Sequence, residues 1–362
     1  MGFSAQTNCN QTQDIIMGKL DKRRKGVYGP PIGCYSVVFV DDVSMPQAET
    51  YGAQPPIEVL RQGIDLGLWY DRKTNMALHL LDVQFMCAMS KPTPGAKLVT
   101  PRFSRHFSFF CIDEFDEETL QVIFNRIMLW HLDTRGFSKD FDPCIEEIVQ
   151  GTLEVYKQCR LNLLPTPSKS HYTFNLRDFS RVILGVLLSV PEVTPDLQSM
   201  KRLWIHECLR VFSDRLVAVE DRRWLAACLR GATATHLHDD FDVLLARLTD
   251  QPGHKIDEQD LRKLIYCDFA NPKADSRFYM ETTNMEHLSS TVEAFLVEFN
   301  NMSKKPMNLV LFTFAIEHVS RICRILAQPR SHGLLVGLGG SGRQSLTRLA
   351  AHINEYDLLQ VG

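Results

Sequence analysis

The run Gly337-Leu338-Gly339-Gly340-Ser341-Gly342-Arg343-Gln344-Ser345 fits G-x-x-x-x-G followed by a basic residue. It stands between an apolar run, Gly333 to Gly337, and a segment with helical character, Ser345 to His352. Glycines at this spacing let backbone N–H groups turn inward around phosphates, and the N-terminus of the following helix adds the positive end of its dipole. The chemistry this suits is binding of the phosphates of ATP or ADP, and the bland alternative is a Gly-rich turn with no ligand. Two positions depart from the usual pattern. Arg343 stands where Lys reaches the β- and γ-phosphates, and Gln344 where a hydroxyl ligates Mg2+. Arg keeps the charge but is bulkier and forked. The loop therefore predicts nucleotide binding with impaired Mg2+-assisted hydrolysis.

A second chemical signal is the apolar segment Ser36 to Val40, ending in Asp41-Asp42. Carboxylates at the C-terminal edge of a buried strand suit a metal-assisted hydrolysis site: Asp41 would hold the Mg2+ shell and Asp42 would polarise the attacking water. A Glu is usual at the second position, and Asp is one methylene shorter, which predicts slow hydrolysis. An ordinary strand-to-loop transition also ends in such pairs. The order of the two signals is informative, because the phosphate loop precedes the acidic strand within one nucleotide site. Here the acidic strand comes about 300 residues earlier. The two cannot belong to one site, so the sequence predicts the back of one nucleotide-binding module followed by the front of another.

Other candidate ligands are dispersed. The ten cysteines include no CxxC pair and read as reduced thiols. His236-Leu237-His238-Asp239-Asp240 has no second ligand group at zinc-site spacing and reads as a solvated loop or helix end. Forty Lys+Arg against 43 Asp+Glu leave a net charge of −3, which gives no support to a polybasic nucleic-acid or membrane-surface binder. The longest apolar stretch, Val182 to Val190, is too short to span a bilayer. The N-terminus lacks the apolar core of a secretion signal. These features predict a cytoplasmic chain with neither nucleic-acid nor membrane partners.

The elements that must position these residues follow from period. Ser36 to Val40 reads as a strand buried on both faces. Val83 to Ala88 and His106 to Ile112 read as two more, with a hairpin-like stretch from Trp69 to Leu81 and a helix from Pro56 to Gly67. Past Asp116 strand-like runs disappear. Helical periods cover Glu117 to Trp130, Asp142 to Cys159, Arg177 to Val190, Gln198 to Val217, Asp221 to Gly231 and Asp239 to Leu248. Lys273 to Thr283 reads as a connector, Leu309 to Leu326 as an amphipathic helix, and Gly333 to Gly337 as a short buried strand. Trp204, His206 and Trp224 read as core packing, and Glu317 with His318 as a solvated face.

Eight separated motifs resemble axonemal dynein heavy chains, in the family's order and across essentially the whole chain. They are FSAQT at Phe3, TQDIIMGKLDKRRKGVYGPP from Thr12, VVFVDDVSMP at Val37, TPRFSRHFSFF at Thr100, FNLRDFSRVILG from Phe174, RLWIHECLRVFSDRLV from Arg202, MNLVLFTFAIEHVSRICRILAQPR from Met307, and GLGGSGRQSLTRLA. The resemblance implies an α/β fold: an AAA+ P-loop NTPase sheet core with an all-helical lid, then the truncated start of a second AAA+ module. The expected divisions are 1–115 for the third module's core without its phosphate loop, 116–300 for the lid and extension, and 301–362 for the start of the fourth module.

On this mapping Asp41 and Asp42 are the third module's acidic pair. Ser90 falls near the sensor-1 position, with Lys91 a departure. Arg105 matches the arginine finger better than Arg102, and Arg177 matches sensor 2 with Arg181 one turn on. Guanidinium groups so placed would neutralise γ-phosphate charge and couple its loss to motion of neighbouring modules; the bland readings are a basic loop and an Arg177–Asp178 helix-start pair. The implied partners are neighbouring AAA+ modules, intermediate and light chains, and microtubules, in the axoneme of a cilium or flagellum. The implied role is ATP-driven, minus-end-directed microtubule sliding. The alternative is a non-hydrolysing ring or interaction module without motor activity.

Overall fold

The computed structural model describes residues 1–91, 99–249, 253–272, 276–303 and 305–360. The chain divides into two compact units, Met1–Asp113 and Glu114–Gly362.

The first unit contains α1 (Cys9–Met17), β1 (Asp21–Arg24), β2 (Val27–Gly29), β3 (Ser36–Val40), α2 (Pro55–Leu66), β4 (Leu68–Tyr70), β5 (Ala77–Leu80), β6 (Val83–Cys87) and the single turn α3 (Pro101–Ser104). Strand β3 pairs in parallel with β6, from Ser36 opposite Val83 to Val40 opposite Cys87. A bridge between Gly2 and Asp41 sets the first residues beside the end of β3. A separate four-stranded sheet has the order β1-β2-β5-β4, in which β4 and β5 form the expected hairpin. Pro at the start of α2 and left-handed Gly67 at its end bound that helix. Its buried Ile57 and Leu60 pack with Val40 and Trp69 in the unit's core. Gly63 lets the helix approach closely: a Cβ there would lie 2.9 Å from Trp69 Nε1, which donates to the Val59 carbonyl.

Two strand expectations fail in this unit. Strand β3 is not buried on both faces, since Val37 and Phe39 are about half exposed while Val40 is fully buried. Among the described residues nothing covers that face. Residues 106–112 form no strand: Phe107 closes a turn on Ser104, and Phe110 and Ile112 are exposed, with no partner edge among the described residues.

The second unit opens with five helices, α4 (Glu117–Arg135), α5 (Asp142–Asn162), α6 (Leu176–Val186), α7 (Leu197–Cys208) and α8 (Val219–His236). Their starts are chemically marked: Asp116, Asn175 and Asp196 accept backbone N–H bonds at the N-caps of α4, α6 and α7. A π-helical turn, Leu209–Ser213, prolongs α7. The helices bury one large core that includes Phe124, Ile148, Phe179, Trp204 and Leu229. Trp204 is fully buried and donates to Thr152 Oγ1, as core packing requires.

After α9 (Phe241–Leu244) and α10 (Glu258–Leu261), β7 (Ile265–Cys267) and β8 (Met280–Thr282) pair antiparallel. Strand structure therefore does not end at Asp116. Of the expected connector, residues 273–275 lie outside the described residues, and its end is β8. Next come α11 (Met285–Met302), absent from the expectations, α12 (Thr313–Ala327) and α13 (Arg343–Ile353). They share a second core with β7, built on Val292, Val319, Cys323, Leu349 and Ile353. Helix α12 starts four residues later than its apolar period suggests. Residues 333–337 have no regular secondary structure and are not a buried strand, with Leu334 91% and Val336 86% exposed. A parallel strand needs a neighbour to take its backbone groups, and among the described residues it has none.

Candidate nucleotide site

The glycine-rich segment turns into α13 as its spacing predicts. Gly340 and Gly342 hold left-handed backbone, with φ of 81° and 79°, a conformation that L side chains adopt only with strain. Gly342 is the N-cap of α13 and supplies no side-chain cap. The first N–H groups of a helix have no intrahelical acceptor, so this end is open to an anion. A Cβ placed on Gly339, Gly340 or Gly342 would meet nothing within 4 Å, whereas one on Gly337 would come within 2.9 Å of Ser341 Oγ. The loop thus folds on itself at Gly337–Ser341 and leaves its other glycines facing free space. Arg343 and Gln344 are exposed, and Ser345 is half-buried. The Ser341 N–H is taken by the Leu338 carbonyl at 3.3 Å; a phosphate group would fit against the remaining backbone N–H groups between Gly339 and Ser345, with Arg343 as the nearby cation. A bound nucleotide would supply the phosphoryl groups.

Asp41 and Asp42 stand where β3 ends, both exposed. The Asp42 N–H donates to Asp41 Oδ1 at 3.1 Å, and Asp42 itself is left-handed with φ of 53°. The Asp41 backbone is locked from both sides, its N–H to the Met1 carbonyl and its C=O from the Phe3 N–H, each 2.9 Å. The pair is therefore a fixed, solvent-facing dicarboxylate. Among the described residues no three His, Cys, Asp or Glu side chains cluster as a metal site. Mg2+ binds through one or two carboxylates with waters and phosphates, so the pair fits a share of such a shell. Ser90 follows β6, and Arg105 caps α3 with its guanidinium 3.5 Å from Asp65 of α2 and largely exposed. Arg102 is exposed on the same turn. The two acidic residues and Arg105 belong to the first unit, and the glycine loop and Arg177 to the second.

Arg177 opens α6 as an exposed side chain. It does not pair with Asp178. That carboxylate is 2% exposed and accepts from the Asn175 N–H at 3.0 Å and from Arg215 at 2.5 Å, with Arg181 at 3.4 Å. Asp178 thus ties the start of α6 to the segment after the π-turn, leaving Arg177 directed outward.

A buried charge cluster joins the helical core to α12. Glu207 is fully buried, and Arg324 meets it through Nε at 3.1 and 3.0 Å and through a further short contact. Tyr279 donates to Glu207 at 2.9 Å, and its hydroxyl lies 3.1 Å from His206 Nε2. The other His206 nitrogen donates to the Leu264 carbonyl at 3.0 Å. Burial lowers the Arg324 pKa, but the charge and hydrogen bonds of Glu207 outweigh it and hold the guanidinium above its ordinary value. Glu317, expected on a solvated face, is 4% exposed and pairs with Arg262 at 3.0 Å. The sequence around His236–Asp240 is a helix end as expected, although Asp239 pairs with the buried Lys201.

Comparison with known proteins accounts for this arrangement. The family described as "P-loop containing dynein motor region" matches residues 1–115. "Dynein heavy chain, ATPase lid domain" matches 125–222, and "P-loop containing dynein motor region D4" matches 307–362. The mouse protein Dynein axonemal heavy chain 12 is 48% identical over 362 residues, covering 99% of this chain and 12% of that one. Human Dynein axonemal heavy chain 3 is 48% identical over 361 residues, covering 100% and 9%. Human Dynein axonemal heavy chain 1 is 43% identical over 371 residues, covering 99% and 8%. The chain therefore spans about an eighth or less of the length of these relatives. With the first unit falling on one motor-region match and the helices α4 to α8 on the lid match, and with these relatives aligned along the whole chain, the chain belongs to the axonemal dynein heavy chains, over a stretch of their motor region.

Proposed function

We propose that this chain contributes to the ATP-binding motor ring of an axonemal dynein heavy chain, supplying the acidic strand and lid of the third AAA+ module and the phosphate loop of the fourth. The ligand at Gly337–Ser345 is ATP or ADP. Asp41 shares in holding Mg2+, Asp42 orients the attacking water, Arg105 serves as arginine finger and Arg177 as sensor 2. The divisions at residues 115 and 300 are those of core, lid and following module. In the axoneme of a cilium or flagellum, the partners are the neighbouring modules, the intermediate and light chains, and microtubules. The role is minus-end-directed sliding.

The observation that carries this reading is the glycine loop itself: left-handed at Gly340 and Gly342, open at every glycine but Gly337, and ending on an uncapped helix. The half-exposed apolar face of β3 supports a chain that works within a larger assembly. A fluorescent ATP analogue tests it. The 362-residue chain is expected to bind the analogue, with Arg343→Ala weakening binding at least tenfold. Its phosphate release is expected to stay at the buffer level and to be unaltered by Asp42→Asn. Failure to bind favours the interaction module without nucleotide. Release above buffer that Asp42→Asn abolishes overturns the separation of the two half-sites.

A further inference from the structure

Where the π-turn after α7, strand β7 and helix α12 meet, there is a cavity with about 10 Å3 of room for the centre of a water molecule. Its lining includes Arg210, Leu264, Glu317, Ser320 and Arg321. Three of these present buried polar atoms with no hydrogen-bond partner: Arg210 Nε, Ser320 Oγ and Arg321 Nε. Ser320 is 4% exposed and the Arg210 side chain 10%, so bulk water does not satisfy them. Buried polar groups without partners are costly and rare in native folds. Three around one small cavity need a common explanation.

We infer that this cavity is a binding site for one ordered water molecule, which joins the π-turn to α12. Guanidinium N–H groups only donate, so the occupant must accept from Arg210 and Arg321. A water's two lone pairs do so, and its two protons then find acceptors in Ser320 Oγ and the Glu317 carboxylate. The available room is that of a single water, which normally makes two to four such bonds. A monatomic anion also accepts, but the four guanidinium groups that line the cavity, Arg210, Arg262, Arg321 and Arg324, are already paired with Asp214, Glu317 and Glu207. Glu317 lines the cavity, and Asp214 sits 3.5 Å from Arg321 Nε and 3.2 Å from Arg210. The π-turn gives the arrangement a structural reason: the Asp214 N–H bonds back to the Leu209 carbonyl at 3.2 Å. That wider turn brings Arg210 to the cavity while Asp214 stays paired with it.

Crystals of the 362-residue chain grown in sodium bromide, at a resolution that shows ordered solvent, test this directly. One peak within hydrogen-bond reach of Arg210 Nε, Ser320 Oγ and Arg321 Nε, without anomalous signal at the bromine edge, is expected. An anomalous peak there, or an empty cavity, overturns the inference. Thermal unfolding supplies the second measurement. Ser320→Val replaces the hydroxyl that accepts from the water with a methyl group, so the water loses one of its acceptors and the midpoint is expected to fall by about 4 °C, independent of bromide concentration. A midpoint that rises in Ser320→Val shows that the cavity was dry. A wild-type midpoint that climbs with bromide at constant ionic strength shows an anion site.

Discussion

Arg324→Met removes the guanidinium that neutralises Glu207 in the interior. Met matches the aliphatic stem and leaves the surrounding packing largely filled, so the change isolates charge. The carboxylate left behind is fully buried and keeps Tyr279 at 2.9 Å as its donor, with His206 3.9 Å away. Stranding one partner of a buried ion pair costs about 4 kcal/mol. At about 3 °C per kcal/mol for a unit of this size, the midpoint of the second unit falls by about 12 °C. Glu207→Gln in the same chain removes the stranded charge and still accepts from Tyr279. The double variant therefore recovers about 2 kcal/mol relative to the sum of the single changes. Circular dichroism melts of the four proteins complete the cycle. A loss below about 1 kcal/mol in Arg324→Met would mean that water reaches the pair, and strict additivity would mean that the two side chains do not depend on each other.

Two further outcomes follow from the same packing. A Cβ on Gly185 would lie 1.7 Å from Glu207 Oε2, so Gly185→Ala drives the carboxylate off Arg324. Gly185→Ala should lower the melting midpoint strongly in the wild type and weakly in a Glu207→Ala background, as melts of all four proteins will show; equal losses refute the contact. His131 bonds Ser189 through Nε2, and burial first, with Arg135 nearby, holds its pKa below the usual 6.5. The unfolded chain takes up that proton near pH 6.5 before the native state does. The contribution of His131 is thus complete above pH 6.5 and is lost as pH falls below it, toward its lowered native value. Urea midpoints at pH 7.5 and 5.5 should differ less in His131→Gln than in the wild type, and an unchanged difference refutes the assignment.

The lid helices were legible because each carries its own local instructions. Asp116, Asn175 and Asp196 cap three of them, and the apolar residues recur at helical spacing. The glycine loop was legible for a similar reason, since positive φ at Gly340 and Gly342 is a property of the residues themselves. Strands were less so. β3 and β6 were found, but β7 and β8 are three residues each, too short for a period, and exist because they pair with each other. Residues 106–112 and 333–337 have apolar strand composition but no neighbouring edge among the described residues, and composition alone does not make a ladder.

The buried charges show most clearly what a one-dimensional pattern omits. On α12 the amphipathic period was visible, and Glu317 with His318 read as its solvated face. In the fold this charged side faces inward as well. Arg324 reaches Glu207, 117 residues earlier, and Glu317 reaches Arg262. Helical period identifies two chemically distinct faces, but it does not say whether the polar one meets water or another polar face. Glu207 held a further clue: it lies on α7 directly between His206 and Cys208, in a helix whose neighbouring residues are buried all round. A carboxylate in such a run needs a cation from elsewhere in the chain. The cation that answers it comes from α12, within the region matching dynein motor D4, while Glu207 lies within the region matching the lid. The two matched regions thus meet through charges that neither could bury alone.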